Sequence, residues 1–413
     1  MNGFTMIFLA ALGLATALQY WLTGRHQAHV MQHRHRVPDA FAGRISLAAH
    51  QKAADYTVAR GHLDNVDLVI GGVVLLGWTL GGGLQWLDTA LRETGFGPVG
   101  TGTAVLVGAF VIVAMLDLPL GIYRAFVVEQ RFGFNRMTVP LFVSDTIKKG
   151  ALLVVFGAPL AAVIVWLMTT WQDLWWFYTW LVWTGFMIFL IWLYPAVIAP
   201  LFNRFTPLEN DALQQRIQNL LKRTGFRSRG IYVMDGSRRS GHGNAYFTGV
   251  GANKRIVFFD TLANQLEPGE LEAVLAHELG HFRHGHVRKR LLVTALTSFA
   301  GLALLGWLAQ QQWFYAGLGI QTPAPHIALL LFILVVPVFS VFLQPLAAWW
   351  SRAHEYEADN FAAGQASAAD LIGALIKLYT ENAATVTPDP LYSAFHDSHP
   401  PAALRIANLA ARA

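Results

Sequence analysis

The sequence predicts a mainly α-helical membrane protein that carries a small α+β part outside the bilayer. Of its 413 residues, 54% are hydrophobic and only 13% are charged, whereas soluble domains carry about 25% charged residues. Seven apolar stretches are each long enough to cross about 30 Å of hydrocarbon. One long polar segment separates the fifth stretch from the sixth, and a shorter polar tail follows the seventh.

The seven predicted spans are defined by their length and their lack of charge. The first lacks the basic start of a secretory signal, so we expect a membrane span there as well. Pro and Gly occur in the third, fourth and fifth spans, where neighbouring helices can satisfy the freed backbone groups. The predicted spans cover residues 3–22, 66–87, 103–123, 151–171, 177–198, 291–310 and 327–347.

The positions of Lys and Arg predict the orientation of the chain. Six of them follow the first span, from Arg25 to Arg60, and five follow the third, from Arg124 to Lys149. The loops on the opposite side contain one in total. Because short cytoplasmic loops are enriched in Lys and Arg, we expect the N-terminus outside and both polar segments in the cytoplasm. In a bacterial host, this membrane would be the inner membrane.

The spans and polar segments divide the chain into four predicted parts. A membrane domain (1–199) holds the first five spans with their basic loops, and a cytoplasmic segment (200–290) follows it. Spans six and seven (291–347) then lead to a cytoplasmic C-terminal segment (348–413). The two polar segments together carry the soluble part of the protein.

The segment 200–290 shows both helical and strand patterns. Apolar residues at helical spacing predict a helix over Asp211–Thr224. Pro268, followed by Glu270, predicts the start of a second helix that leads almost directly into the sixth span. Short strands are expected over 231–234, Ala245–Thr248 and Arg255–Phe259, with a hairpin turn over 249–253.

Composition limits the chemistry that the chain can perform. There is no cysteine, which excludes disulfides, iron–sulfur clusters and thiol catalysis. Any metal site must therefore use His, Asp or Glu. The net charge of +5 is modest, and no nucleic-acid-binding motif accompanies it, so we expect no nucleic-acid partner. Membrane lipid is the expected surrounding of the apolar helices.

Residues 277–281 (HELGH) form an H-E-x-x-H motif on the second predicted helix. A spacing of four places His277 and His281 on one helix face, where both nitrogens can bind one zinc ion at about 2.0–2.1 Å. Glu278 lies beside them and can act as a general base. Such a five-residue match also occurs by chance on surface helices, so the motif alone does not decide the function.

A second motif, after the seventh span, offers a third ligand. In residues 351–359 (SRAHEYEAD), Glu355 and Asp359 are four residues apart and share a helix face. Glu355 can complete the zinc site, and Asp359 can accept a hydrogen bond from a ligand histidine. Alone, this segment would be read as an ordinary charged interfacial helix. With the first motif it predicts a zinc metalloendopeptidase of the gluzincin type, with one zinc ion per chain.

These motifs resemble those of the integral-membrane type I CAAX prenyl endopeptidases. Further segments look like family segments in family order: HQKAADY (50–56), PLFNRFTPL (200–208), NAYFTG (244–249), RIVFFDTL (255–262) and DPLYSAFHDSHPP (389–401). The resemblance implies seven tilted helices around a water-filled chamber. It also implies zinc binding by His277, His281 and Glu355, general-base catalysis by Glu278, and support of the site by Asp359.

The resemblance extends to the substrate and to a second catalytic residue. Family substrates are prenylated or hydrophobic peptides, so we expect a peptide or protein substrate. His399 matches a family histidine near the metal that could donate to the oxyanion of the scissile carbonyl. A lone loop histidine is otherwise often structural. Arg405 is expected to pair with a nearby acid.

Asn244, Ala245 and Tyr246 are candidates for substrate binding. Many metallopeptidases hold the substrate as an added antiparallel strand, because main-chain groups of an edge strand bind any sequence. The side chain of Asn244 could also bind the peptide. The alternative is an internal hairpin strand that does not contact substrate.

Other histidines occur in two clusters. His26, His29 and His33 lie at helical spacing, where a second metal site is one interpretation and a cationic helix at the lipid headgroups is the better one. His284 and His286 follow the main motif and are interpreted as surface residues or as neighbours of the metal ligands.

Three alternative functions remain open. A membrane-protein quality-control zinc protease shares the zinc motifs but has fewer spans and a shorter chain. A transporter with a fortuitous H-E-x-x-H motif would not need Glu355 and Asp359 on one helix face. An intramembrane-cleaving protease would place the motif within an apolar helix, whereas polar residues over 282–290 place it at the membrane surface.

Overall fold

The computed structural model describes residues 2–171, 173–228, 230–248 and 255–412. Most of the chain is helical, and the helical stretches are listed here with their bounds. They are α1 (Gly3–Gln32), α2 (Leu47–Trp78), α3 (Gly83–Arg92), α4 (Gly97–Tyr123), α5 (Val139–Leu152), α6 (Ala158–Thr170), α7 (Trp175–Leu193), α8 (Ala199–Phe202), α9 (Asp211–Thr224), α10 (Asp260–Gln265), α11 (Pro268–Arg283), α12 (His286–Leu308), α13 (Gln312–Gly317), α14 (Pro325–Ser340), α15 (Gln344–Gln365), α16 (Ala368–Glu381), α17 (Pro390–His396) and α18 (Ala402–Ala410).

Membrane-spanning helices agree with the predicted spans in number and order. Within the described residues, six helices are long and apolar enough to cross a membrane, and the number is seven when the bent pair α2–α3 is counted as one span. Three of them continue beyond an α-helix through a π-helical stretch, at Arg124–Glu129, Leu153–Gly157 and Tyr194–Ile198. Pro195 lies within the third of these stretches and Pro159 lies two residues after the second. Proline lacks an N–H donor, which favours the wider turns there.

The second span differs from its prediction over 66–87. The helix α2 begins at Leu47 and ends at Trp78, and α3 then starts at Gly83 with a bend of 49° between the two. Gly82 has a φ of 77°, a backbone conformation that side-chain-bearing residues rarely adopt. A run of three glycines therefore breaks the span, although hydropathy alone reads through the break.

A four-stranded sheet forms the strand part of the soluble segment. Three predicted strands are confirmed, as β2 (Gly230–Met234), β3 (Ala245–Thr248) and β4 (Arg255–Phe259), and the short β1 (Phe205–Pro207) was not predicted. The order is β1-β2-β4-β3, in which only β2 and β4 are parallel. In this order, β3 is the last described strand on one side of the sheet. The predicted turn over 249–253 lies outside the described residues.

The soluble segments pack on one end of the helix bundle. A buried apolar core joins α9, β4, α11, α16 and α18, and a separate apolar core lies among the spans. Two ion pairs connect the soluble part to the spans, Arg25–Asp389 at 3.0 Å and Arg239–Asp145 at 2.7 Å. The basic loops and both soluble segments thus share one face of the bundle.

Candidate metal centre

Two helices, α11 and α15, cross closely and bring the two motifs together. Pro268 begins α11, and Glu267 and Glu270 form a reciprocal capping box at this end. At the crossing, a Cβ atom on Gly280 would lie only 2.8 Å from the Ala358 Cα atom and 3.0 Å from its carbonyl oxygen. The glycine of the HELGH motif therefore permits the helix approach on which the site depends.

Three potential ligand atoms converge at this crossing. The Nε2 atoms of His277 and His281 are 3.3 Å apart, and each lies 3.4–3.5 Å from a carboxylate oxygen of Glu355. The three groups are the described residues whose donor atoms all lie within 4.8 Å of one another. The Oε2 atom of Glu355 is buried and accepts no hydrogen bond within the described chain. This donor set, two imidazoles and one carboxylate, fits a divalent cation such as zinc.

His277 is supported by a buried ion pair. Its Nδ1 atom lies 2.8 Å from Asp359 Oδ1, and Arg405 binds the same carboxylate through two nitrogens at 2.6 and 2.8 Å. Because Nε2 faces the convergence point, Nδ1 must carry the ring proton, and this N–H group donates a hydrogen bond to Asp359. The expected pairing of Arg405 with an acid is thus present, and its partner is Asp359.

His281 is supported through a second histidine. Its Nδ1 atom lies 2.9 Å from Nδ1 of His286, whose Nε2 atom lies 2.9 Å from Glu357 Oε2. With Nε2 of His281 turned to the metal position, its Nδ1–H group donates a hydrogen bond to Nδ1 of His286. His286 then carries its own proton on Nε2, and this N–H group donates a hydrogen bond to Glu357. The ring of His286 is buried and stacks on His354 at a centroid distance of 3.9 Å.

The charge state of the cluster reflects burial and pairing. Burial lowers the pKa of His277, but the neighbouring carboxylates of Asp359 and Glu355 outweigh it and raise this pKa to about 9. A cation bound to Nε2 therefore has to displace a proton. Burial raises the pKa of Glu278 above its usual value, against the opposing effect of the neighbouring histidines.

The predicted oxyanion donor lies beside the third ligand. His399 Nε2 is 3.5 Å from Glu355 Oε1, and its Nδ1 atom lies 3.0 Å from the hydroxyl oxygen of Ser398. Partial removal from solvent lowers the pKa of His399, whose side chain is still 60% exposed, although the Glu355 carboxylate acts in the opposite direction. The structure thus brings His399 to the cluster, within reach of a substrate carbonyl positioned there.

The candidate substrate strand lies at the open side of the sheet. The Asn244 carbonyl accepts a hydrogen bond from the Phe259 N–H at 2.9 Å, so the main-chain groups of Ala245 point to the opposite, unpaired side. Asn244 Oδ1 accepts the Ala245 N–H at 2.8 Å. Tyr246 pairs with Val257 of β4. In the part of the chain that the structure describes, β3 is the terminal strand of the sheet, so its outer edge is open to a further strand, while its pairing with β4 also agrees with a hairpin strand.

Three contributors to the site are not identified from the sequence alone. The sequence predicts His286 as a surface residue or a neighbour of the metal ligands, and it indicates no role for Glu357. A signal for His286 is present in the sequence: α12 begins only five residues after His281, so this histidine lies about one turn beyond the motif. Asn382 was also missed, and it binds the main chain of Gly243 just before β3.

The other histidine cluster does not form a metal site. His26 is buried, stacks on Tyr392 and accepts the Asp389 N–H through Nδ1 at 3.2 Å, while the rings of His29 and His33 lie against each other. Among the described residues, the cation-binding geometry is found at His277, His281 and Glu355.

The close crossing at Gly280 gives a testable prediction. Gly280→Ala should destabilise the protein by about 1–3 kcal/mol, because the added methyl group meets backbone atoms that cannot move aside. It should also reduce metal content, since the two motifs are forced apart. Thermal unfolding in detergent and metal analysis measure both effects. Gly364→Ala in α15 is the control, because no atom lies within 4 Å of the added Cβ; equal behaviour of the two variants would contradict the prediction.

Comparison with known proteins agrees with this architecture. Residues 26–204 match the family model of the CAAX prenyl protease N-terminal domain with five membrane helices, and residues 207–413 match peptidase family M48. The CAAX prenyl protease 1 homolog of Arabidopsis thaliana is 32% identical over 383 residues, covering 90% of this chain and 89% of the relative. CAAX prenyl protease 1 of Saccharomyces cerevisiae is 36% identical over 311 residues, covering 71% and 69%.

A solved structure extends the comparison to the whole fold. The crystal structure of S. mikatae Ste24p superimposes with a TM-score of 0.91 at 29% sequence identity and covers 99% of both chains. Sequence family, curated relatives and fold therefore agree over the membrane and the soluble parts alike. The chain belongs to peptidase family M48, as a multi-pass integral-membrane metalloprotease with the N-terminal membrane domain of the CAAX prenyl proteases.

Proposed function

We propose that the chain is a zinc endopeptidase that cleaves prenylated or hydrophobic peptides near their C-terminus. One observation carries this proposal: His277, His281 and Glu355 converge around one point, with Glu278 adjacent on the same helix. The relatives in other organisms are named as CAAX prenyl proteases, and a CAAX motif is C-terminal and prenylated on its cysteine. The peptide or protein nature of the substrate follows from the family itself.

The proposed roles follow from the positions of the side chains. His277, His281 and Glu355 hold one zinc ion, which when bound polarises the scissile carbonyl and makes water nucleophilic near neutral pH. Glu278 accepts the proton of the attacking water and transfers it to the leaving amine. His399 donates a hydrogen bond to the oxyanion of the scissile carbonyl. Asp359 keeps His277 in the required tautomer.

The open edge of β3 is the proposed binding site for the peptide backbone. Ala245 offers its N–H and C=O groups on this edge, and a peptide that pairs there gains main-chain hydrogen bonds regardless of its sequence. The Asn244 side chain, which now covers the Ala245 N–H, would turn to the substrate. The ring of Tyr246 packs near Phe259 at 6.2 Å and keeps the strand in place.

We further propose that the site faces the cytoplasm and the N-terminus lies outside. The basic loops and the soluble segments share one face of the bundle, and Lys and Arg favour the cytoplasmic side. In a bacterium this is the inner membrane, with lipid as the surrounding partner and no role for nucleic acid. The division into parts 1–199, 200–290, 291–347 and 348–413 describes this arrangement.

Hydrolysis of a farnesylated CAAX peptide by the purified, zinc-loaded protein tests the proposal. A matched peptide without the prenyl group is measured in parallel, and a chelator-treated sample is the metal control. We expect cleavage of the farnesylated peptide after cysteine, and loss of cleavage on chelation with recovery on adding zinc. Equal cleavage of both peptides would instead favour general proteolysis of membrane proteins. No cleavage of either, with no stoichiometric zinc, would refute the proposed activity.

A separate prediction concerns the support of His281. His286→Ala should weaken zinc binding by about 10–100-fold, the usual effect of losing a partner of a metal ligand. His286→Gln should retain much of the affinity, because an amide can accept from His281 and donate to Glu357. Competition with a chromogenic chelator measures both. If the alanine and glutamine variants bind zinc as tightly as wild type, the hydrogen-bonded chain does not support the ligand.

A further inference from the structure

Two adjoining cavities lead away from the metal cluster. The near cavity, of 340 Å³, is lined by His399 and by residues of the C-terminal segment. The far cavity, of 410 Å³, is lined by Arg60 and Tyr56 of α2 and by His242. Both volumes lie in the range of about 300–1,000 Å³ that ligand pockets occupy. Four lining residues are common to the two cavities: His26, Ala384, Thr385 and Asp397.

The edge strand determines which end of a peptide would reach the far cavity. A peptide that pairs antiparallel with β3 directs its C-terminus toward the residues that precede Ala245. There, Asn382 already binds the N–H of Gly243 at 3.0 Å and its carbonyl at 3.4 Å. Because these main-chain groups are occupied, the peptide must leave the strand at this point. The next residue, His242, lines the far cavity.

Arg60 supplies the positive charge of the far cavity. It is the one Lys or Arg among the described residues that line it, and its guanidinium lies over the Tyr56 ring at 5.6 Å. The acid one turn along α2, Asp64, pairs with Arg124 at 3.1 Å. The other acid of the cavity is Asp397.

We propose that Arg60 binds the free C-terminal carboxylate of the peptide substrate in the far cavity. The proposal rests on the proposed endopeptidase function and specifies its substrates as peptides with a free α-carboxylate. A planar guanidinium held by an aromatic ring presents two parallel N–H donors, the geometry that a carboxylate accepts. Three residues span at most about 10–11 Å, and this is the reach that the role requires between the cleaved bond and Arg60.

A comparison of peptide acids with peptide amides tests this role directly. Two peptides that differ only in a C-terminal carboxylate or carboxamide are hydrolysed by the full-length, zinc-loaded protein. Wild type should cleave the acid with a kcat/KM about 10–100-fold higher, the effect of hydrogen bonds to a charged group. Arg60→Gln should bring the acid-to-amide ratio close to one, and Arg60→Lys should restore part of it.

Arg131 provides a matched control. It also lies over an aromatic ring, that of Phe132 at 5.5 Å, but it lines a different cavity that shares no lining residue with the far one. Arg131→Gln should keep the full preference for the acid. A preference that persists in Arg60→Gln, or that disappears in Arg131→Gln, overturns the proposal.

Other outcomes separate this proposal from the function on which it rests. Equal cleavage of acid and amide by wild type overturns the carboxylate site and leaves the peptidase function intact. Cleavage of neither peptide by a zinc-loaded wild type overturns the proposed function and this inference with it. Correct folding of Arg60→Gln is shown by zinc stoichiometry, which a loss of carboxylate binding does not change.

Discussion

Replacing Glu278 by Gln should lower peptide hydrolysis by about 10²–10⁴-fold, the contribution of a general base. The amide has nearly the same shape but cannot accept the proton of the attacking water. Burial already raises the pKa of Glu278, so the carboxylate is more basic than an exposed one and better suited to take that proton. Initial rates on a fluorogenic peptide, together with zinc analysis of the same sample, measure the effect.

The zinc analysis decides how a loss of rate is interpreted. Glu278→Gln should retain one zinc ion per chain, because Glu278 is not among the three converging ligands. Glu272→Gln on the same helix is the control, since this acid pairs with Arg216 and Arg223 on the surface and should leave the rate near that of wild type. A Glu278→Gln enzyme with zinc bound and more than about a tenth of the wild-type rate would exclude general-base catalysis by this residue.

Hydropathy predicts the spans well because a membrane helix must be apolar over most of its length. It fails where a backbone feature overrides composition: the glycines around Gly82 break the second span, yet their hydropathy resembles that of the neighbouring residues. β1 is missed for a related reason. Its residues, Phe205–Pro207, are too few to show alternation, and they become a strand by pairing with β2.

The candidate ligands are predictable because they belong to two pairs of residues, and the members of each pair are close in sequence. His277 and His281 share a helix face, as do Glu355 and Asp359, and a spacing of four residues suffices to reveal both pairs. Support by more distant partners is not encoded in this way. His286 reaches His281 across a helix end, and Glu357 reaches His286 from another helix, so only the crossing of α11 and α15 shows their role.

The same crossing places the candidate metal-binding groups. Gly280 permits the close approach of the helices, and the two histidines then lie within 3.5 Å of Glu355. The two histidines are held by different partners: Asp359 acts directly on His277, while Glu357 acts on His281 through His286. These supporting residues, Asp359, His286 and Glu357, therefore lie at different distances from the metal position. Their loss should weaken zinc binding less than the loss of a ligand does.

Two amide replacements on α15 compare a ligand with its neighbour. Loss of a residue that supports a metal ligand typically weakens metal binding by about 10–100-fold. Glu355→Gln should weaken zinc binding by more than this and abolish activity, because a charged ligand is lost. Asp359→Asn should fall within that range, since an amide oxygen can still accept a hydrogen bond from the Nδ1–H group of His277. Zinc affinity from chelator competition and hydrolysis at saturating zinc measure both. If excess zinc restores full activity to Glu355→Gln, Glu355 is not the third ligand. If Asp359→Asn binds zinc as wild type does, the carboxylate serves only to hold Arg405, and the tautomer of His277 is set by other contacts.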